Sequence, residues 1–280
     1  MYSGPAMKNL FAVLLLLVTV TSAQAQFTPD PDYERVLVPV FFFGGGQGGA
    51  KWFTSFDMVA PANGFQLATP VLRDEQPCAF CPCEIKAQVE EMKAETICGQ
   101  FEHPFGLLLW VPRNVDKDAV HTSLRVSDRS REDDRAGAQI PVVWESDLYA
   151  DAFVLLDVKT EPRYRSAIRL YDAFQYPTDF VLRFYDMEEF RKGTREMLFE
   201  TIVRAERVST PPGRFPLRPA FLMIGDIVAK WPQLASSESV AIEVAGTSLP
   251  ISPPQYDRRF YAFASITNNT TNEVTIVSPR

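Results

Sequence analysis

Ile168-Arg169-Leu170-Tyr171-Asp172 returns fourteen residues later as Leu182-Arg183-Phe184-Tyr185-Asp186. In both copies apolar residues alternate with Arg and Tyr, the period of two that gives a β-strand one face on a core and one face away from it. Phe174 to Asp179 carry the turn between them, and a third copy, Leu124-Arg125-Val126-Ser127-Asp128, stands upstream. A one-residue slip across the two strands would bury two Arg and expose four large apolar side chains, so the register is strongly specified. Ile168, Leu170, Leu182 and Phe184 are therefore expected in a core, with Arg169, Tyr171, Arg183 and Tyr185 on the face away from it. Were the two strands to pair, those four outward residues would form an Arg/Tyr ladder, a candidate surface for a sugar or a peptide.

The strand pattern extends in both directions. Val36-Leu37-Val38-Pro39-Val40-Phe41-Phe42-Phe43 reads as a strand, and Pro39 within it suggests a sheet edge, where a missing N–H does no harm. Gly44 to Gly49 then read as a hairpin loop rather than a phosphate cradle, because Ala50-Lys51-Trp52 follow where that cradle needs Lys and Ser/Thr. Further strands are expected at Trp52–Met58, Gly106–Val111, Val120–Ser127, Gln139–Trp144, Phe153–Asp157, Arg195–Val208, Pro219–Ile224, Val240–Val244, Phe260–Thr267 and Glu273–Val277. On the Val120 strand, Val120, Thr122, Leu124 and Val126 share the inward face, which turns His121 and Arg125 outward. Two short helices complete the reading: one from the i, i+4, i+7 spacing of Ile85, Val89 and Met92, one capped by Asp226 and running toward Leu234.

Twenty-two Pro and twenty-one Phe, with no strand–helix alternation, place the chain in the all-β class. Six or seven strands on each side of a polar hinge at Glu145 to Ala150 predict two antiparallel immunoglobulin-like β-sandwich domains in tandem, with at most short helices. The expected boundaries are residues 1–25 for a signal peptide, 26–146 for an N-terminal domain carrying a cysteine cluster, and 147–280 for a C-terminal domain.

The signal peptide rests on Lys8, the apolar run Leu10 to Val20 and the small-x-small site Ala23-Gln24-Ala25. That run is shorter than the roughly 20 residues a membrane span needs, so the mature chain is expected without a transmembrane anchor. Loss of Lys8 takes the formal net charge from −7 to −8, which argues against nucleic acid as a partner. In an exported chain the four cysteines, Cys78, Cys81, Cys83 and Cys98, are expected as disulfides rather than as a four-thiolate metal site or a redox pair. Of the three pairings, the one closing Cys81 to Cys83 is disfavoured by ring strain.

Trp52-Phe53-Thr54, Ile140-Pro141-Val142-Val143, Arg163 to Asp172 and Ala264-Ser265-Ile266-Thr267-Asn268-Asn269, together with the export signal, make the mature chain resemble a group of exported bacterial proteins. Those proteins look like tandem β-sandwiches and have no assigned function. The resemblance implies location and fold and transfers no active residues.

The catalytic vocabulary is thin. His103 and His121 are the only histidines, and neither Gly-x-Ser-x-Gly nor His-Glu-x-x-His occurs. No cofactor is expected. The function expected is an exported, non-catalytic module that binds or scaffolds a protein or glycan at the cell surface or in the periplasm. The alternative is a secreted, glycosidase-like hydrolase in which strand-end carboxylates among Asp57, Asp128, Asp172 and Asp186 meet in space.

Overall fold

A computed structural model describes residues 31–45, 49–59, 92–93, 105–130, 137–173, 177–206, 218–247 and 259–280. The expected signal segment, the four cysteines and His103 lie outside the described residues, as do Ile85 and Val89. Met92, expected to close the first short helix, belongs instead to a two-residue strand.

Strands β1 (Tyr33–Phe41), β2 (Phe43–Gly45), β3 (Lys51–Val59), β4 (Met92–Lys93), β5 (Phe105–Pro112), β6 (His121–Asp128), β7 (Gly137–Gln139) and β8 (Val143–Trp144) build the first half. The second half contains β9 (Phe153–Lys159), β10 (Tyr164–Asp172), β11 (Thr178–Asp186), β12 (Met197–Ala205), β13 (Ala220–Ile224), β14 (Ser239–Gly246), β15 (Phe260–Asn268) and β16 (Val274–Val277). Helix α1 (Met187–Arg191) follows β11 and α2 (Ile227–Lys230) follows β13. Asp226 caps α2 as its sequence position suggests, and Asp186 caps α1 in the same way.

Four antiparallel sheets result: β5-β1-β8, then β2-β3-β6-β7 with β4 on β3, then β13-β10-β15-β16, then β12-β11-β14-β9. The last two face each other across one core, in which Ile168 and Leu170 of β10 meet Leu182 and Phe184 of β11, all four without solvent contact. The inward residues are those the alternation predicts. The two copies of the repeat do not pair, however. They stand in opposing sheets, β10 between β13 and β15, β11 between β12 and β14. No Arg/Tyr ladder can form between strands on opposite sides of a core.

Pro39 also sits otherwise than expected. β1 is the centre of its sheet, but β8 pairs only with Val36 and Leu37, and the register with β5 shifts between Val38 and Phe41. Pro39 falls in that irregularity, where no ladder N–H is required.

The first half does not close its core alone. Val38, Phe41, Phe56, Met58, Leu108 and Leu124 pack in one buried cluster with Tyr171, Ala173, Tyr261 and Phe263 from the second half. The sheet β13-β10-β15-β16 is thereby covered on both faces, which explains the near-continuous burial along β15. Close approach is enforced at Gly106 of β5, where a Cβ would stand 2.9 Å from Tyr171 Cε1 and 3.0 Å from Pro219 Cγ.

The segment read as a polar hinge is a packed seam. Arg35 of β1, buried in the interior, donates from its backbone N and its Nε to Glu145 Oε2, each at 2.9 Å, and from Nη1 to the Ala173 carbonyl, also at 2.9 Å. Leu148 is buried, and Tyr149 exchanges two backbone hydrogen bonds with Phe260. Burial alone would raise the Glu145 pKa, but hydrogen bonds and charge from Arg35, with the charge of Arg113, hold it below its ordinary value of about 4.5.

Candidate functional site

Where the first half meets the outer face of β10 and β15, the sheets part to leave a cleft of about 800 Å³. That is within the range of small-molecule sites, roughly 300–1,000 Å³. One wall comes from Val40, Phe42, Trp52, Val126 and Ile140, the other from Ala167, Met223, Phe263 and Ile276, and these side chains make the lining predominantly apolar. Three charged residues interrupt it: Arg165 and Arg169, two turns of the pleat apart on β10, and Asp226 at the start of α2. Asp226 is already engaged, since its Oδ1 accepts from the Val228 and Ala229 backbone N–H groups.

Arg169 is the unusual member. Its guanidinium is enclosed by protein, lies over the Phe263 ring at 5.3 Å and donates from Nη1 to Ser265 Oγ at 2.9 Å. Its Nε hydrogen is buried and finds no acceptor among the described residues. No carboxylate is paired with it there, and burial pulls its pKa below the ordinary value, with Tyr171 opposing. The cause is visible in the register: the residues directly across from Arg169 on the two neighbouring strands are Met223 and Phe263.

The other residues expected on an outward binding face are placed differently. Tyr171 is fully buried; its hydroxyl donates to the Pro39 carbonyl, and burial raises its pKa far above the ordinary value despite the opposing charge of Arg169. Arg183 and Tyr185 lie on the outer face of the opposing sheet, away from the cleft. Arg183 is paired on both sides, its Nε donating to Glu200 Oε2 at 2.7 Å and its Nη1 to Glu243 Oε1. Tyr185 is buried in a small cluster with Met187, Ala241 and Phe190. Of the four, only Arg169 lines the cleft. The remaining cleft residues, Trp52, Phe263 and Ser265 among them, come from strands distant in sequence, and no local signal marks them.

The carboxylates of the hydrolase alternative are spread out. Asp57 and Asp128 share a sheet, but Asp57 stands opposite Ser123 and Asp128 opposite Trp52, five residues apart along the ladder or about 17 Å at 3.3–3.4 Å per residue. Glycosidase pairs need about 5–9.5 Å. Asp128 accepts from Lys51 N and from Ser130 N and Oγ. Asp172 accepts from Thr178 at the start of β11, whereas Asp186 caps α1 at its far end. Hydrogen bonds, first from the Glu189 N–H, hold the Asp186 carboxyl below its ordinary pKa although its slight burial opposes this. Among the described residues no three His, Cys, Asp or Glu converge to hold a metal ion, and no helix is long and apolar enough to cross a membrane.

No family model, curated protein or solved structure matches the chain.

Proposed function

We propose that the protein is an exported, non-catalytic binding module of the cell surface or periplasm, built as two immunoglobulin-like β-sandwiches in tandem, whose ligand occupies the cleft between them. The observation that carries this reading is the apolar cleft of about 800 Å³ with a half-buried arginine on its wall whose Nε is enclosed without an acceptor among the described residues. Pockets of this size with few convergent polar groups bind small molecules, and a charge kept in such a wall is costly unless something uses it. The Lys8, Leu10 to Val20 and Ala23-Gln24-Ala25 pattern supports export, and with it disulfide pairing among Cys78, Cys81, Cys83 and Cys98.

Native mass spectrometry of the protein from a secreted or periplasmic fraction tests the reading. The expected result is a mature chain beginning at Gln26, a mass that rises on reduction, and an additional small-molecule mass lost on denaturation. A chain that carries no ligand and whose melting temperature ignores a lipid and metabolite extract of that fraction would sink it.

A further inference from the structure

We propose that Arg169 is the head-group anchor for an amphipathic monocarboxylate, whose carboxylate takes the Nε edge of the guanidinium while its apolar body lies along Phe263, Val40, Trp52 and Ile276. The inference rests on the binding reading above and names the class of ligand. Three observations converge on it. First, the Nε–H is buried without an acceptor, and such orphaned donors call for an explanation such as an absent ligand. Second, Nη1 is already committed to Ser265 Oγ and Nε is closed to water as the cleft stands, so a carboxylate takes the Nε–Nη2 edge, in the two-pronged geometry that guanidinium favours, by turning the guanidinium toward the cleft. Third, the rest of the lining is mostly apolar, so it suits a chain or ring system rather than a sugar or a peptide backbone.

The charge of the head group is limited by the same wall. Arg165 and Arg169 share the cleft with Asp226, two cations and one carboxylate, so a dianion such as a phosphate monoester would bring one negative charge more than the wall offsets. A single negative charge is the better match. Burial already draws the Arg169 pKa downward, and a bound carboxylate would favour its charged form.

The experiment is a titration of the purified mature protein with decanoate, decanol, decyltrimethylammonium and decyl phosphate, followed by calorimetry and by the fluorescence of Trp52 in the cleft wall. Decanoate should bind with one-to-one stoichiometry at least tenfold more tightly than decanol or decyl phosphate, and the cationic probe should be weakest. Arg169→Gln should reduce decanoate affinity tenfold or more and leave decanol unchanged. Arg169→Lys, which keeps the charge and loses the fork, should fall between, and Arg183→Gln should bind as the wild type does. Melting temperatures of each variant exclude loss of folding as the cause. Equal affinity for decanoate and decanol, or full decanoate affinity in a folded Arg169→Gln, overturns the anchor while the binding reading stands. Tighter binding of decyl phosphate overturns the single-charge assignment. Failure of all four probes overturns the ligand class, and only if the native protein also carries no ligand does the binding reading fall with it.

Discussion

β10 and β11 repeat one sequence and lead two different lives. Their inward residues are equivalent: Ile168 and Leu170 on one, Leu182 and Phe184 on the other, all fully buried in a shared core. Their outward residues are not. Arg183 has Glu200 and Glu243 directly opposite on its two neighbouring strands and donates to both, Glu200 first, and these hydrogen bonds raise its pKa against a smaller opposing effect of burial. Arg169 has Met223 and Phe263 in the corresponding places and no carboxylate among the described residues. Tyr171 is stacked beneath the first half, 6.3 Å from Phe263 and 5.1 Å from Phe221, whereas Tyr185 meets only a small satellite cluster. An alternating pattern specifies a face; the cross-strand neighbours and the layer above decide what that face does.

The largest effect should come from the seam that clamps the first half over β10. Glu145→Ala removes the carboxylate that pairs with the buried Arg35 and should destabilise by about 3–5 kcal/mol, measured by denaturant unfolding. The Glu145 pKa is depressed in the fold, so its contribution is complete above about 4.5 and is lost as pH falls through the folded value. The stability gap between wild type and Glu145→Gln should accordingly be full at pH 7 and close in acid. A gap that widens in acid would mean that the pair is not what holds the seam.

Next in size are the two inward leucines. Leu170→Ala and Leu182→Ala should each cost about 2–5 kcal/mol through cavity formation in the one core they share. A large disparity between them would show that the two strands are not equivalent even on their inner faces.

The inner faces were legible in the sequence and the outer ones were not. Periodicity identifies residues that share a side of a strand, which is why Leu124 is buried and His121 and Arg125 are exposed on β6 as the alternation predicts. Short-range chemistry was equally readable, as the Asp226 cap of α2 and the Asn268 to Asn272 turn between β15 and β16 show. What lies against the outer face of β10 depends on Pro39 and Gly106, more than sixty residues away from Tyr171. The Arg35–Glu145 pair spans 110 residues. Contacts at that separation leave no local pattern, so the hinge reading of Glu145 to Ala150 saw polar residues and missed their partners. The cleft is a product of the same long-range packing. Arg169 was visible as a candidate, but the lack of an acceptor for its enclosed Nε among the described residues depends on which strands flank β10.

The tyrosines sharpen the contrast at smaller magnitude. Tyr171→Phe removes a buried hydrogen bond and leaves the Pro39 carbonyl unsatisfied, so it should destabilise by about 1–2 kcal/mol. Tyr185→Phe loses only a long contact of 3.5 Å to Glu243 and should stay within about 0.5 kcal/mol. Equal losses at both positions would erase the distinction between a covered and an open face.

The arginines should differ in sign rather than size. Arg183→Met breaks two ion pairs that sit near the surface, Arg183 and Glu200 being 35% and 43% exposed, so the loss should be at most about 1 kcal/mol after solvent screening. Arg169→Met removes an enclosed cation whose Nε is unsatisfied and replaces it with a flexible apolar side chain among Met223, Phe263 and Ala167. Exchanging buried charge for apolar volume is often neutral or stabilising, so this variant should unfold at the wild-type denaturant midpoint or above it, by up to about 1 kcal/mol. Residues that stabilise the fold lose stability when replaced, and residues held for a ligand commonly give some back. If Arg169→Met proved as damaging as Glu145→Ala, Arg169 would be a structural cation with an acceptor of its own, and the two copies of the repeat would differ in partner but not in purpose.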